Sequence, residues 1–431
     1  MAITDSVGKF NMEDVNALFK IKYEKLSENV YNSANVLLGR VKKSYNFTGK
    51  QLIIAIPQSF AGGVGSGNLP SANKALYSDA KITAKKMYAV VEVDRETIKA
   101  SLSDEGAFVR ATKEVVKRGV ESFMRNLSRA LFNDGSASLG MAGATSASNT
   151  ISILDFKEAN LEERDLVDII TSTASLVNGV LTITDSTVAS QVEILSVDET
   201  EGKITVSGSA LSFAAPTNAD GSLTSAGDEV TKVYMQKSKD NDPDGLKGVL
   251  QQSNREQIDG VNASFGIKHG RRWEAVVEPA AQAAISTDML NKVMLKIKKK
   301  SGKTPNLIVC SFKQYEKILN LLEDQKRYTV QTRAGLKSKS GADISFSGVE
   351  FMSVDGPVGI FPERFVEDDT IYLLNDSHIH LYHRPDFGWF DDDGTVFLRK
   401  ADSDAYEARY GGYLECYINP CFHGVITGLS V

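Results

Sequence analysis

The sequence predicts an α+β protein of two or three lobes carrying a small β-rich insert. Three observations lead there. A long amphipathic stripe covers residues 104–132, short β-type runs fill residues 166–236, and the last third alternates helical and strand patterns. At 431 residues, the chain is also longer than one ordinary core organises.

Each element follows from its residues. Over residues 12–38, Val15, Leu18, Phe19, Leu26, Val30, Ala34 and Leu37 recur at helical spacing, with Asn11 placed to cap and an end near Gly39. Gln51–Pro57 reads as a strand. The tip Ala61-Gly-Gly-Val-Gly-Ser-Gly-Asn-Leu-Pro70 follows, and Ala75–Val93 reads as a long second strand. Together they form a hairpin arm. A lone two-stranded hairpin is marginal in water, so its apolar residues need a neighbour, and that neighbour can be another copy of the chain.

The helix at 104–132 sets Phe108, Val115, Val116, Val120, Phe123, Leu127 and Leu131 on one stripe and its Arg, Lys and Glu residues opposite. Ser103 suits its N-cap, and Asn133-Asp-Gly135 ends it. At 1.5 Å per residue it spans roughly 40 Å, the length of a structural spine. In the insert, Leu166–Ile170, Val180–Ile183, Gln191–Val197, Lys203–Ser207 and Val230–Met235 read as strands, and Asn178-Gly179 is a strong hairpin signal. Beyond it, Asp288–Lys300 and Phe312–Leu322 read as helices. Leu307–Cys310, Val349–Val354, Ile371–Leu374, His378–Tyr382, Val396–Arg399 and Gly412–Ile418 read as strands.

Composition excludes several classes. No apolar run is long enough to cross a bilayer as a helix, and the N-terminus lacks a signal-peptide pattern. Three cysteines argue for a reducing compartment rather than a disulfide framework. The net charge of −6 is unevenly spread. Residues 1–132 hold 20 Lys+Arg against 13 Asp+Glu, whereas residues 133–245 hold 6 against 18. No segment is basic enough to announce sequence-specific DNA binding.

Motifs that could carry chemistry have plainer readings. Ser301-Gly-Lys-Thr304 resembles the end of a phosphate loop, but Ile297 stands where the first glycine belongs and Pro305 blocks the helix that should follow. The glycines at 62–67 lack the spacing of a dinucleotide fingerprint. Asp240-Asn-Asp-Pro-Asp-Gly245 starts like a calcium loop, making Asp240, Asp242 and Asp244 the candidate metal ligands. Its twelfth position is Gln251 rather than a bidentate glutamate, so a solvated acidic turn is favoured. His378 and His380 would share one strand face and His383 the other, and exposed edge-strand histidines are the favoured reading. Cys310, Cys416 and Cys421 read as structural thiols, and Asp391-Asp-Asp-Gly394 as a turn. No active site stands out, so neither a catalytic residue nor a cofactor is expected.

The order of parts, rather than any one motif, resembles the major capsid proteins of tailed bacteriophages, which share the Hong Kong 97 fold. Segments carrying the resemblance are Phe47-Thr-Gly-Lys50 leading into Gly62-Gly-Val-Gly65, Leu131-Phe-Asn-Asp-Gly135, Gly245-Leu-Lys-Gly248, Lys303-Thr-Pro-Asn-Leu-Ile-Val309 and Gly424-Val-Ile-Thr-Gly-Leu429. The resemblance implies an N-terminal arm (1–45), an extended hairpin loop (46–98) and a peripheral domain with the spine helix (99–165). The acidic β insert (166–236) follows, with a return to the peripheral domain (237–274), an axial domain with closing strands (275–420) and a tail (421–431).

It further implies a protein that self-assembles into pentamers and hexamers of an icosahedral shell around double-stranded DNA. Portal and scaffolding proteins, a possible decoration protein and non-specific contact with packaged DNA would be its partners, with no membrane. Its place would be the virion, after assembly in the host cytoplasm. The loop residues Gly62, Gly63, Gly65, Lys81, Lys85 and Lys86 are the expected subunit contacts. Some relatives crosslink a loop lysine; Lys74, Lys81, Lys85 and Lys86 are available, but no partner is identified. Because the first helix begins almost at once, a separate scaffolding protein is expected rather than a cleaved segment. The insert, being acidic, is expected to face away from DNA. Rival readings are an encapsulin-like nanocompartment shell, a calcium-dependent binding module resting on residues 240–251, and, more distantly, a metal enzyme built on the histidines.

Overall fold

The structure, a computed structural model, describes residues 36–44, 51–59, 76–94, 105–157, 160–177, 180–218, 221–251, 274–324, 349–353, 355–390, 396, 398–400 and 404–431. Most of the helix expected over 12–38 and the whole glycine tip lie outside these residues. What is described of that helix is one short turn, α1 (Val36–Arg40), which buries Leu37 and Leu38.

The expected second strand of the arm is two strands. β2 (Gln51–Ser59) pairs antiparallel with β3 (Leu76–Thr83), from Gln51 opposite Thr83 to Ser59 opposite Leu76. Past Ala84 the chain continues as β4 (Lys85–Asp94), which leaves the hairpin and pairs with β20 (Ala405–Ile418) in the body. Periodicity could not show this break, because apolar and polar residues alternate through both halves.

The body is a five-stranded sheet packed against the spine helix α2 (Glu105–Phe132), close to its predicted limits. β1 (Lys42–Ser44), β18 (Ile379–Trp389), β20 and β19 (Leu398–Arg399) follow in order, with β4 also on β20. The inward stripe of α2, with Val120, Phe123, Leu127 and Leu131, meets Met87, Ala89, Leu381, Tyr410 and Leu414 of the sheet in one core. Phe123 sits edge-on to Tyr410, ring centres 5.2 Å apart, and 5.4 Å from Phe387.

The C-terminal lobe is a six-stranded mixed sheet. Its order is β13 (Val276–Pro279), β21 (Gly424–Thr427), β17 (Ile371–Leu374), β14 (Leu307–Cys310), β16 (Gly356–Pro362) and β15 (Val349–Ser353). Strand β14 is wholly buried because both faces are covered, which is why it reads as an unbroken apolar run. Ile308 and Cys310 face one core with Leu290, Val293, Met294 and Ile297 of helix α4 (Thr287–Ser301). The alternate residues Leu307 and Val309 face the spine-helix core. Ser286 caps α4 by accepting from Met289 N–H at 3.2 Å, and three lysines close its last turn, where the helix dipole favours cations. The Ser301–Thr304 motif is therefore a helix end, with Gly302 in the left-handed cap at φ 76°. Helix α5 (Phe312–Asp324) follows β14 directly.

The insert forms its own six-stranded sheet around a third core. β5 (Ser138–Met141), β12 (Glu229–Met235), β8 (Leu166–Val177), β9 (Val180–Asp198), β10 (Lys203–Val206) and β7 (Thr150–Ser152) lie in that order. β6 (Thr145–Ser148) pairs with β11 (Leu211–Phe213) beside it. The insert thus draws in residues from Ser138 onward, earlier than the compositional shift at 166. The strands around Asn178-Gly179 are joined as that signal implies, Val177 opposite Val180.

One expectation about the histidines is corrected. His378 is not on the strand but in a 3₁₀ turn, Asp376–His378, where it stacks on Phe422 with ring centres 3.6 Å apart. Strand β18 is interior to its sheet, between β1 and β20, and His383 is buried against Phe387. They are packing residues rather than exposed edge positions.

The spine-to-sheet contact should dominate stability. Phe123→Ala removes a fully buried ring and is expected to cost about 3–5 kcal/mol, measured by denaturant unfolding of the purified chain. A cost below about 1 kcal/mol would show that α2 does not pack as described.

Candidate assembly surfaces and the latch at the foot of the spine

The expected contact residues separate into two groups. Gly62, Gly63 and Gly65, together with Lys74, lie outside the described residues. Lys81 is on β3, in register with Ile53 of β2, whose side chain is 57% exposed. Among the described residues this hairpin is a sheet of only two strands, so neither strand has a second strand partner at its outer edge. Lys86 lies over the Tyr413 ring at 5.8 Å on the body sheet. Lys85 points elsewhere: its Nζ donates to the Asp240 carbonyl at 3.1 Å, so it ties the start of β4 to the acidic loop.

That loop is a latch rather than a solvated turn. Asp242 accepts from Arg129 of α2 at 3.1 Å, their side chains 7% and 5% exposed. Asp244 donates its backbone N–H to the Glu415 carboxylate of β20 at 2.7 Å. Glu415 also accepts from Cys416 N–H at 2.9 Å. Gly245 follows so close to the end of α2 that a Cβ there would lie 2.3 Å from both the Ala130 and Asn133 carbonyl oxygens. Only glycine fits. Among the described residues no group of three metal-type side chains converges; the Asp242 carboxylate, the Asp240 carbonyl and the Asp244 N–H each engage a different partner. Desolvation raises the pKa of three carboxyls here, the exposed Asp240 and the buried Asp242 and Glu415. Asp240 and Asp242 are lifted by desolvation against their cationic neighbours, and Glu415 is pushed well above the carboxylate range by desolvation and by Asp244.

A second ion cluster joins the insert to the C-terminal lobe. Glu367 accepts from Lys157 at 3.0 Å and from Lys247 at 2.6 Å. Burial alone would raise its pKa, but the two ammonium groups outweigh it and hold the carboxyl at about 2. Lys247 belongs to helix α3 (Leu246–Leu250), directly after the latch. Arg125 of α2 reaches the insert as well, pairing with Glu162 and, at 3.0 Å, with Asp165. Nearby, Glu363 is buried, and its carboxyl is pushed up to about 7 by desolvation although Arg364 and Val36 N–H groups donate to it. Through Val36 it holds α1 against the lobe.

Sequence reasoning overlooked these joints. Arg125 and Arg129 belong to the charged residues opposite the apolar stripe, and they pair with Asp165 of the insert and Asp242 of the loop. Glu415 carried a detectable signal, as a lone carboxylate inside the apolar and aromatic run Tyr413–Ile418. The three cysteines are buried and free, and desolvation takes the Cys310 thiol up to about 12, well outside the reactive range.

A spine helix on a long sheet, an outlying hairpin, a β insert and a mixed-sheet lobe form the fold of phage capsid subunits. The subunit of the cyanophage A-1(L) capsid aligns over 92% of this chain and 93% of its own, with a TM-score of 0.50 and 11% identity. Shell proteins of Mycobacterium phage Bobi (9% identity, TM-score 0.40, covering 97% of this chain and 99% of that one) and of a native GTA particle (8%, 0.41, 91% and 89%) also align. At that level of similarity they add no argument. No curated protein matches by sequence. The likeness shows the fold of a capsid subunit. Residues 226–429, a little under half of the chain, match the family described as SU10 major capsid protein.

Two expected outcomes test the joints. Arg129→Ala leaves the Asp242 carboxylate buried without its cation and should cost about 3–5 kcal/mol, whereas Arg129→Leu combined with Asp242→Leu should recover much of that loss in the same unfolding assay. For Glu363 the sign follows from its raised pKa. The neutral carboxyl is favoured in the fold, so stability falls as pH rises from its ordinary 4.5 through about 7. Glu363→Gln should then stabilise the chain by roughly 2–3 kcal/mol at pH 8 and by little at pH 4. Equal effects at both pH values would mean that folding does not raise the Glu363 pKa.

Proposed function

We propose that this chain is a major capsid protein of a tailed bacteriophage and builds an icosahedral shell of hexamers and pentamers that encloses double-stranded DNA, each copy laying its β2–β3 hairpin on a neighbour. The observation that carries this reading is the hairpin itself. It is a two-stranded ribbon with an exposed apolar residue, Ile53, among its described positions, and such a ribbon gains stability when another surface covers it. Lys86, at the root, is an exposed cation available to that neighbour, and Lys81, Gly62, Gly63 and Gly65 would be further contacts of the same arm. Repeated contacts of this kind close into rings when the rotation between copies is fixed.

The rest of the reading is compatible with the lobes described above. The role is structural, with no catalysis of its own and no cofactor. A scaffolding protein and a portal protein would guide assembly, a decoration protein would have an outer surface to bind, and packaged DNA would be touched without sequence preference. The acidic insert would face outward, since its charge repels phosphate. Assembly would take place in the host cytoplasm, and the finished protein would reside in the virion.

Electron microscopy of the full chain, expressed alone and with a candidate scaffolding protein, tests the proposal. Closed shells, or rings of five and six, are expected. Shells filled with an enzyme and devoid of DNA in infected cells would favour an encapsulin-like compartment instead. A monodisperse monomer under every condition would overturn the assembly reading.

A further inference from the structure

Natural sheet edges are shielded by charge, proline, bulges or a covering element, because an open row of N–H and C=O groups templates pairing. The insert breaks this rule at one place. Strand β12 accompanies β8 only as far as Thr173, opposite Glu229, and β10 joins β9 only from Ile194 onward. Between these limits β8 and β9 run on as a two-stranded ribbon as far as Val177 opposite Val180. Its outer strand, Val180 to Ala189, contains a single charged residue, Asp185. That carboxylate is already engaged by Ser172 at 2.7 Å and by Lys239. No proline interrupts the strand, and residues 181–187 are all exposed.

The ribbon also has an apolar face. Leu176 is in register with Leu181, and Ile183 with Ala174, so Leu176, Leu181 and Ile183 share one side of the pleat. Leu176 is 60% and Ile183 55% exposed. Elsewhere the insert is strongly acidic, with 18 Asp+Glu against 6 Lys+Arg over residues 133–245. Two inserts brought together over a broad face would repel each other. At this strand they would not.

We propose that the open edge of β9 pairs antiparallel with the same edge of a second copy, about a local two-fold axis. This rests on the self-assembly reading above and specifies one of its contacts. Centred on Thr182, such a pairing sets Thr182 opposite its own equivalent and Leu181 opposite Ile183 of the second copy. The apolar face then continues across the junction, and Thr–Thr and aliphatic cross-strand pairs are favourable ones. The paired span Val180–Thr184 contains no charged residue and Asp185 lies beyond it, so no charge meets a like charge. An antiparallel pair of identical strands is necessarily isologous, which fits a contact joining two capsomers rather than one closing a ring.

A Thr182→Cys variant tests this in assembled shells, because the native cysteines 310, 416 and 421 are buried. Under mild oxidation, most of the chain in shells should run as a disulfide-linked dimer, and the unassembled chain should not. In parallel, Leu181→Lys with Ile183→Lys would place ammonium groups opposite each other. Its melting curve should match the parent, while closed shells become scarce. Shells in which the introduced thiol stays monomeric and freely labelled would overturn the proposal, as would a different polypeptide covering it. Failure of the parent chain to form shells at all would instead overturn the assembly reading.

Discussion

The C-terminal half of the spine helix is where the structure is held together, because three lobes converge on it by different physical means. Its apolar stripe fills a core shared by the body sheet and one face of the C-terminal lobe. Its polar side supplies two guanidinium groups, Arg125 to the insert and Arg129 to the returning loop. Its last carbonyls admit the backbone of Gly245 at a distance no side chain tolerates. Hydrophobic burial supplies most of the stabilisation there, at roughly 25 cal/mol per Å² of apolar surface. It is not directional, however, and could accept several orientations of insert and lobe. The buried ion pairs accept one.

That division accounts for the charges being buried at all. A desolvated pair such as Arg129–Asp242 gives back in Coulomb attraction little more than its desolvation costs, and apolar residues of equal volume often serve stability as well. Its contribution is registry. Arg129 meets Asp242 only when the loop leaves the insert at the right angle, and Glu367 meets both Lys157 and Lys247 only when insert, latch helix and lobe are mutually placed. In the shell proposed above, a few degrees of freedom between lobes would accumulate from copy to copy.

How much of this was legible in the sequence depends on the range of the interaction. The spine helix announced itself through a stripe sustained over eight turns, and the β8–β9 hairpin through Asn178-Gly179, since both are local signals. The break between β3 and β4 was hidden because the chain stays extended across Ala84 while changing its partner strand, and periodicity reports conformation rather than partner. The acidic loop was misjudged for the same reason. Asp240, Asp242 and Asp244 sit at calcium-like spacing, but their roles are decided by Arg129 and Glu415, residues 113 and 171 positions away from the groups they bind. Long-range electrostatic partners leave almost no trace in a single sequence; an isolated carboxylate in an apolar strand, as at Glu415, is the exception.

The contrast between the joints and the outlying ribbons carries the functional logic furthest. Inside the subunit the described charged groups at the foot of the spine, Arg125, Arg129 and Glu367, have named partners. Among the described residues, β2–β3 and the end of β8–β9 are antiparallel ribbons in which strands stop short of a third neighbour. A protein meant to remain a monomer would protect such edges, since they invite pairing with any other chain. Here they project from a rigid body whose lobes are fixed by buried ion pairs. The free energy of covering them is therefore available to association instead of to internal rearrangement, and the angle at which they are presented is set by the same contacts that hold the subunit together.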